Sequence, residues 1–220
     1  MLVKYLFIIL SFIAAPSFAN EIEKIFIAAG LVDVSKIDST IKVDLVNSDE
    51  DKNYFDENFY DGLDKAYLRE EVAIKLSKAQ KELQKRKPGY SLQILDAARP
   101  RSVSRKMFEK MKGSAFEKYV AHPKKGSMHN YGIAVDLTIV GENGKKLDMG
   151  FTPFYKSKMA IYWAYAKKKM GFGLSDKQKN NRKLLADVMK KAGFLPLSFE
   201  WWHFNGMAKD LARKKYSIIE

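Results

Sequence analysis

The chain has 220 residues, with 39 Lys and Arg against 26 Asp and Glu, a formal net charge of +13 and no cysteine. That length suits one domain with an ordinary apolar core, and the lack of cysteine excludes a disulfide-built scaffold. The positive charge comes without a nucleic-acid motif: its lysines are spread along amphipathic stretches such as 156–169 and 177–191, as on solvated helix faces, so no nucleic-acid partner is expected. Attraction to an anionic cell envelope would use the same charge with no dedicated site.

In chain order, residues 1–19 read as a signal peptide: Lys4 precedes an apolar run from Tyr5 to Ala15, and Ser17-Phe18-Ala19 ends in a small-x-small pattern, with cleavage expected after Ala19. The protein is therefore expected to be exported, to the periplasm or the medium, with a single catalytic domain over 20–220. Thr40–Val46 suggests a strand, and the Asp/Asn-rich, aromatic stretch Asn47–Tyr60 a loop. From Leu63 to Lys85, Leu68, Val72, Ile74, Leu76, Ala79 and Leu83 recur at near-helical spacing until Pro88-Gly89 stops the pattern.

Tyr90–Leu95 alternates as a strand and delivers Asp96-Ala97-Ala98-Arg99-Pro100 at its end, after which Ser102 is placed to cap a short helix to about Lys112. Ala121–Tyr131 reads as a loop, Ile133–Val140 as a strand, and Glu142-Asn143-Gly144-Lys145 as a turn. Leu147–Tyr155 continues as strand or loop. Two basic helices follow, the second near Ser175–Ala192 with Gly193 at its C-terminal end, and the aromatic Ser198–Phe204 reads as a strand.

The chemistry-bearing residues sit at the ends of these strands. His129, Asp136 and His203 carry the donor types of a catalytic zinc site, two imidazoles and a carboxylate that would leave a position for water, and Glu200 is a candidate base. Asp136 follows His129 by seven residues, an odd separation that points the two side chains to opposite faces of a regular strand, so a turn or bulge near Gly132 is required. Glu200 and His203 pose the same parity problem. His122 reads as a surface residue.

The words around these residues are specific. Ser127-Met128-His129-Asn130-Tyr131-Gly132-Ile133-Ala134-Val135-Asp136 and Glu200-Trp201-Trp202-His203 resemble the SxHxxGxAxD and ExxH zinc motifs of the D-alanyl-D-alanine dipeptidases related to the enzymes of vancomycin resistance. Asp96-Ala97-Ala98-Arg99-Pro100 is similar to their DAxRP element, Tyr67-Leu68-Arg69 to the start of their first long helix, and Asn53-Tyr54-Phe55 more weakly to their N-terminal Asn-Phe segment. These words run in the family's order from about residue 37 to 205.

The resemblance implies one Zn2+ per chain on His129, Asp136 and His203, Glu200 passing a proton to the departing amine, and Arg99 stabilising the oxyanion. It also implies an α+β single domain whose central, mainly antiparallel sheet carries the site, with helices beside it. Ser127 is placed to meet the substrate's amino end, and Tyr131, Trp201 and Trp202 to wall the pocket. One departure stands out: where the family has a Phe-Asp pair after its Met-Gly element, Met149-Gly150-Phe151-Thr152-Pro153-Phe154 is followed by Tyr155, so that either Asp148 substitutes for the missing carboxylate or Tyr155 is a substrate-binding residue with a different amino-end preference.

The first expectation is thus a zinc dipeptidase for D-Ala-D-Ala or a similar small dipeptide, linked to peptidoglycan turnover. A D,D-carboxypeptidase or peptidoglycan endopeptidase of the same fold is the second, kept open by Tyr155. A non-catalytic zinc-binding wall module is the third, and the joint presence of a base and an oxyanion donor argues against it. The expected partner is a small dipeptide or a peptidoglycan-derived peptide.

Overall fold

The structure is a computed structural model that describes residues 21–114, 117, 120–150, 173–198 and 200–220. The expected signal peptide, the first basic helix and Tyr155 lie outside the described residues. Its centre is a five-stranded sheet in the order β2-β4-β5-β7-β6, made of β2 (Lys42–Val43), β4 (Ser91–Asp96), β5 (Ala134–Val140), β6 (Leu195–Leu197) and β7 (Glu200–Asn205). Only the β2–β4 pair is parallel; β4–β5, β5–β7 and β6–β7 are antiparallel. The protein is therefore α+β, a single domain with a mainly antiparallel sheet.

Every residue of β5 is buried. That is the signature of a central strand covered on both faces, and successive side chains divide between them: Leu137 and Ile139 point one way and Asp136 the other. Helix α3 (Glu70–Arg86) packs on β4 and on α5 (Asp176–Lys191), burying Val72, Leu76, Ala79 and Leu83 at helical spacing. Acidic Glu70 and Glu71 in its first turn and basic Lys85 and Arg86 in its last complement the helix dipole.

The expected helix over Leu63–Lys85 begins later than its apolar spacing suggests. Tyr67–Leu68 is instead a short strand, β3, antiparallel to β1 (Val32–Asp33), and the Arg69 amide is taken by the Gly132 carbonyl at 2.9 Å. Tertiary pairing of the backbone outweighs local periodicity there. The strand expected over Thr40–Val46 shrinks to β2, and the loop after it is pinned by fully buried Asn53, whose amide donates to the carbonyls of Val46, Asp49 and Glu57.

Helix α4 (Arg101–Met111) also departs from expectation. Pro100, not Ser102, occupies its N-cap, with no side-chain cap. The Arg101 amide donates to the Ile219 carbonyl at 2.7 Å, so the C-terminal segment does what a capping hydroxyl would do. Ser175 does cap α5, through a reciprocal box with Gln178, and Gly193 ends that helix in the left-handed region at φ +88. Helices α1 (Glu21–Ala28), α2 (Val34–Ile37) and α6 (Lys209–Lys215) complete the α-helices among the described residues; none of these three was legible in the sequence. Among the described residues, no helix is long and apolar enough to cross a membrane.

Candidate metal centre

Asp136 on β5 and His203 on β7 are direct cross-strand partners, which brings their side chains together on one face of the sheet. His129 arrives from outside the strand, on a 3-10 turn over Met128–Tyr131 that ends at Gly132. Gly132 adopts φ +68, and a Cβ there would stand 2.7 Å from Leu31 Cδ2, so both backbone conformation and space demand glycine. This left-handed step resolves the first parity problem.

The second is resolved by a register shift. Leu197 pairs with Glu200 although Pro196 pairs with Phe204, so residues 201–203 of β7 have no counterparts on β6, and strict alternation between Glu200 and His203 is lost. The carboxylate of Glu200 thereby reaches to 3.8 Å from His203 Nδ1.

Three ligand atoms converge. His129 Nε2 lies 3.2 Å from His203 Nδ1 and 3.4 Å from Asp136 Oδ1, and His203 Nδ1 lies 2.9 Å from the same Asp136 oxygen. Ligands about 2.0–2.1 Å from one tetrahedral ion are separated from each other by roughly 3.3 Å, so the spacing fits a zinc-sized cation as well as it fits hydrogen bonds. All three residues are buried, and together they could hold a metal ion.

The outer nitrogens of both imidazoles are engaged. His129 Nδ1 faces the Ala97 carbonyl at 2.6 Å and His203 Nε2 faces Asn205 Oδ1 at 3.0 Å. With a proton on each outer nitrogen, the inner lone pairs are left to a metal and the rings cannot rotate. Sequence reasoning missed Asn205, the polar end of an aromatic strand, and the Ala97 contact is a backbone carbonyl.

The field at the centre follows from this packing. Burial opposes ionisation of Asp136, yet the adjacent imidazoles hold its carboxyl well below the usual carboxylate range. Burial likewise works against a charged His203, but Asp136 outweighs it and raises the imidazole. Glu200 goes the other way: desolvation, helped by Asp136, lifts its carboxyl above its ordinary value, toward the range a general base needs.

Arg99 follows β4, where a bulge between Ile94 and Asp96 sets Asp96 directly beside Asp136 in the sheet. Asp96 is fully buried and takes hydrogen bonds from Arg99 Nε at 3.1 Å and from Arg99 Nη2, from Asn47 at 3.0 Å, from the Tyr60 hydroxyl at 2.8 Å and from the Ala97 amide at 2.9 Å. Although burial disfavours its charge, Asp96 and Tyr60 keep the Arg99 guanidinium protonated far above neutrality. The Arg99 amide also donates to the His129 carbonyl at 3.1 Å, so cation and ligand turn are fastened together. Asn47 and Tyr60 escaped sequence reasoning because they reach Asp96 across 49 and 36 residues.

The remaining candidates are placed as follows. Ser127 Oγ accepts the His129 amide at 3.3 Å, and the Ser127 amide donates to Asn130 Oδ1 at 2.7 Å, so this serine caps the turn that carries His129. Tyr131 is buried in the apolar core, and its carbonyl takes Arg69 Nε at 3.0 Å. Trp201 is half-buried, edge-on to Trp202, with the Arg182 guanidinium 5.2 Å from its ring centre. Asp148 is exposed, its carboxylate engaged by Gln178 Nε2 at 3.1 Å and by the Gly150 amide at 2.8 Å. His122 is exposed, as expected of a surface residue, with its ring beside Phe108.

A buried His-Asp-His cluster with a carboxylate beside it, carried on an antiparallel sheet, defines a candidate hydrolytic metal centre. The chain belongs to the M15 peptidase family described as D-ala-D-ala dipeptidase, whose model matches residues 28–219. It is 32% identical over 118 residues to the D-alanyl-D-alanine dipeptidase of Escherichia coli strain K12, a match covering 53% of this chain and 55% of that protein. The chain thus spans about half the length of the curated relative it matches. The solved LdcB LD-carboxypeptidase, reported for its peptidoglycan recognition, is similar over 67% of this chain and 63% of its own, with a TM-score of 0.41 and 22% identity.

Proposed function

We propose that this protein is a zinc-dependent peptidase that hydrolyses D-Ala-D-Ala or a similarly small dipeptide, is exported to the periplasm or the medium, and acts in peptidoglycan turnover. The single observation that carries the reading is the approach of His129 Nε2, Asp136 Oδ1 and His203 Nδ1 to within 3.4 Å of one another, with Glu200 at 3.8 Å. A zinc ion bound there would supply Lewis acidity that makes water nucleophilic at neutral pH.

The rest is done by the chain's own groups. Glu200 takes the proton from the attacking water and returns it to the amine that leaves, so one peptide and one water become two amino acids. Arg99, fixed by Asp96, donates to the carbonyl oxygen as negative charge grows on it. Ser127 and Tyr131 contribute through the turn that presents His129, Trp201 walls the Glu200 side, and the sequence has Tyr155 where the family has an amino-end carboxylate.

The test is release of D-alanine from D-Ala-D-Ala by purified protein. Activity that disappears with a chelator and returns with zinc supports the proposal; no release from a panel of D,D- and L,D-dipeptides at full zinc occupancy overturns it. A D,D-carboxypeptidase or endopeptidase is favoured by one observation: Asp148 is occupied by Gln178 and Gly150, which leaves no described carboxylate assigned to a free amino end. Faster cleavage of a stem pentapeptide than of the free dipeptide would select that reading.

A further inference from the structure

Arg182, on α5, is half-buried and anchored at one edge. Its Nε donates to the Met149 carbonyl at 2.6 Å, and its guanidinium lies 5.2 Å from the Trp201 ring centre. Among the described residues no carboxylate pairs with it, and the residues outside that set contain no Asp or Glu. The acid whose charge reaches it, Asp148, has its oxygens turned to Gln178 and the Gly150 amide. Burial therefore works against the Arg182 charge and Asp148 offsets it only in part. A partly desolvated guanidinium that no described carboxylate engages is the side chain that best recognises a carboxylate through two parallel hydrogen bonds.

Its position relative to the chemistry gives that cation a use. Trp201 directly follows Glu200 and precedes His203 by two residues on β7, whereas Arg99 approaches from β4, on the other side of β5 in the sheet order. Arg182 thus stands by the strand that carries Glu200 and His203, and Arg99 by the strand on the other side of β5. Arg99 is committed to Asp96 and to the scissile carbonyl; Arg182 has no such commitment. We propose that Arg182 is a substrate-binding residue that takes a carboxylate of the peptide, with Trp201 and the Met149 carbonyl fixing its orientation. This rests on the peptidase reading above. The carboxylate is either that of the leaving residue or that of an acidic side chain on the amino side, and the two sources are separable.

The experiment measures kcat/KM on zinc-loaded protein for two matched pairs, D-Ala-D-Ala against D-Ala-D-alaninamide and D-Glu-D-Ala against D-Gln-D-Ala, in wild type, Arg182→Gln and Arg182→Lys. The wild type should prefer the acidic member of one pair by about 10- to 100-fold, as expected for hydrogen bonds to a charged group. Arg182→Gln should abolish that preference and Arg182→Lys should keep part of it. The pair affected identifies the source. If Arg182→Gln slows acidic and neutral members equally, the side chain only braces Met149 and the proposal is overturned.

Should the wild type cleave nothing, the peptidase reading falls, and calorimetry on the same zinc-loaded proteins decides Arg182. Tighter binding of D-alanine than D-alaninamide, or of D-glutamate than D-glutamine, that is lost in Arg182→Gln supports the proposal. Equal binding within both pairs, or a preference that Arg182→Gln retains, overturns it.

Discussion

The ligand cluster and the Trp201–Arg182 wall lie against the same strand, β7, but are built differently. At the cluster both imidazoles and the neighbouring cation are held from behind: His129 by Ala97, His203 by Asn205, Arg99 by Asp96, and Asp96 in turn by Asn47 and Tyr60. At the wall one hydrogen bond and one ring contact hold a half-buried cation, and Asp148 is solvent-exposed. A centre whose chemistry demands fixed geometry is overdetermined, while a wall that meets the variable part of a ligand is held lightly.

That contrast sets the order of effects. Glu200→Gln should lower kcat by about 10²- to 10⁴-fold while zinc content stays near one per chain, measured by steady-state kinetics and metal analysis on one preparation. Loss of zinc instead would make Glu200 a ligand and erase the division of roles. Next comes Arg99→Ala, expected to cost about 10²- to 10³-fold in kcat. It should also destabilise the fold by about 3–5 kcal/mol in urea, because Asp96 would be left as a buried charge without its ion-pair partner.

Asn205→Ala addresses how far the support of the ligands matters. Freed of its partner, the His203 ring should bind zinc about 10- to 100-fold more weakly, read by competition with a chromogenic chelator. Unchanged affinity would mean that packing alone orients the ring. At the wall, Asp148→Asn should alter kcat/KM for a neutral dipeptide by less than about twofold, as for most exposed positions; a large loss there would place an essential amine-binding carboxylate where the contrast puts none.

The same division explains what the sequence made legible. His129, Asp136, Glu200 and His203 stood out because their chemistry is rare and their spacing is set by strands whose apolar pattern is clear. The odd spacing of His129 and Asp136 even demanded a backbone device near Gly132, which the structure supplies as a 3-10 turn closed by a left-handed glycine. Their support was hidden: the carbonyl of Ala97 has no side-chain signature, and Tyr60 meets Asp96 only through the tertiary fold. Ser127, placed by sequence at the substrate, has its hydroxyl turned to the His129 amide, a local competition that spacing alone does not decide. Helix α4 had its cap assigned to Ser102 because the true partner, the Ile219 carbonyl, lies 118 residues further along the chain.

The most direct test of the central claim is a crystal structure of the zinc-loaded protein with anomalous diffraction recorded on both sides of the zinc edge. One peak about 2.0–2.2 Å from His129 Nε2, Asp136 Oδ1 and His203 Nδ1, with the Glu200 carboxylate outside bonding distance, is the predicted result. A peak bonded to Glu200, or no zinc among these three side chains, would contradict it.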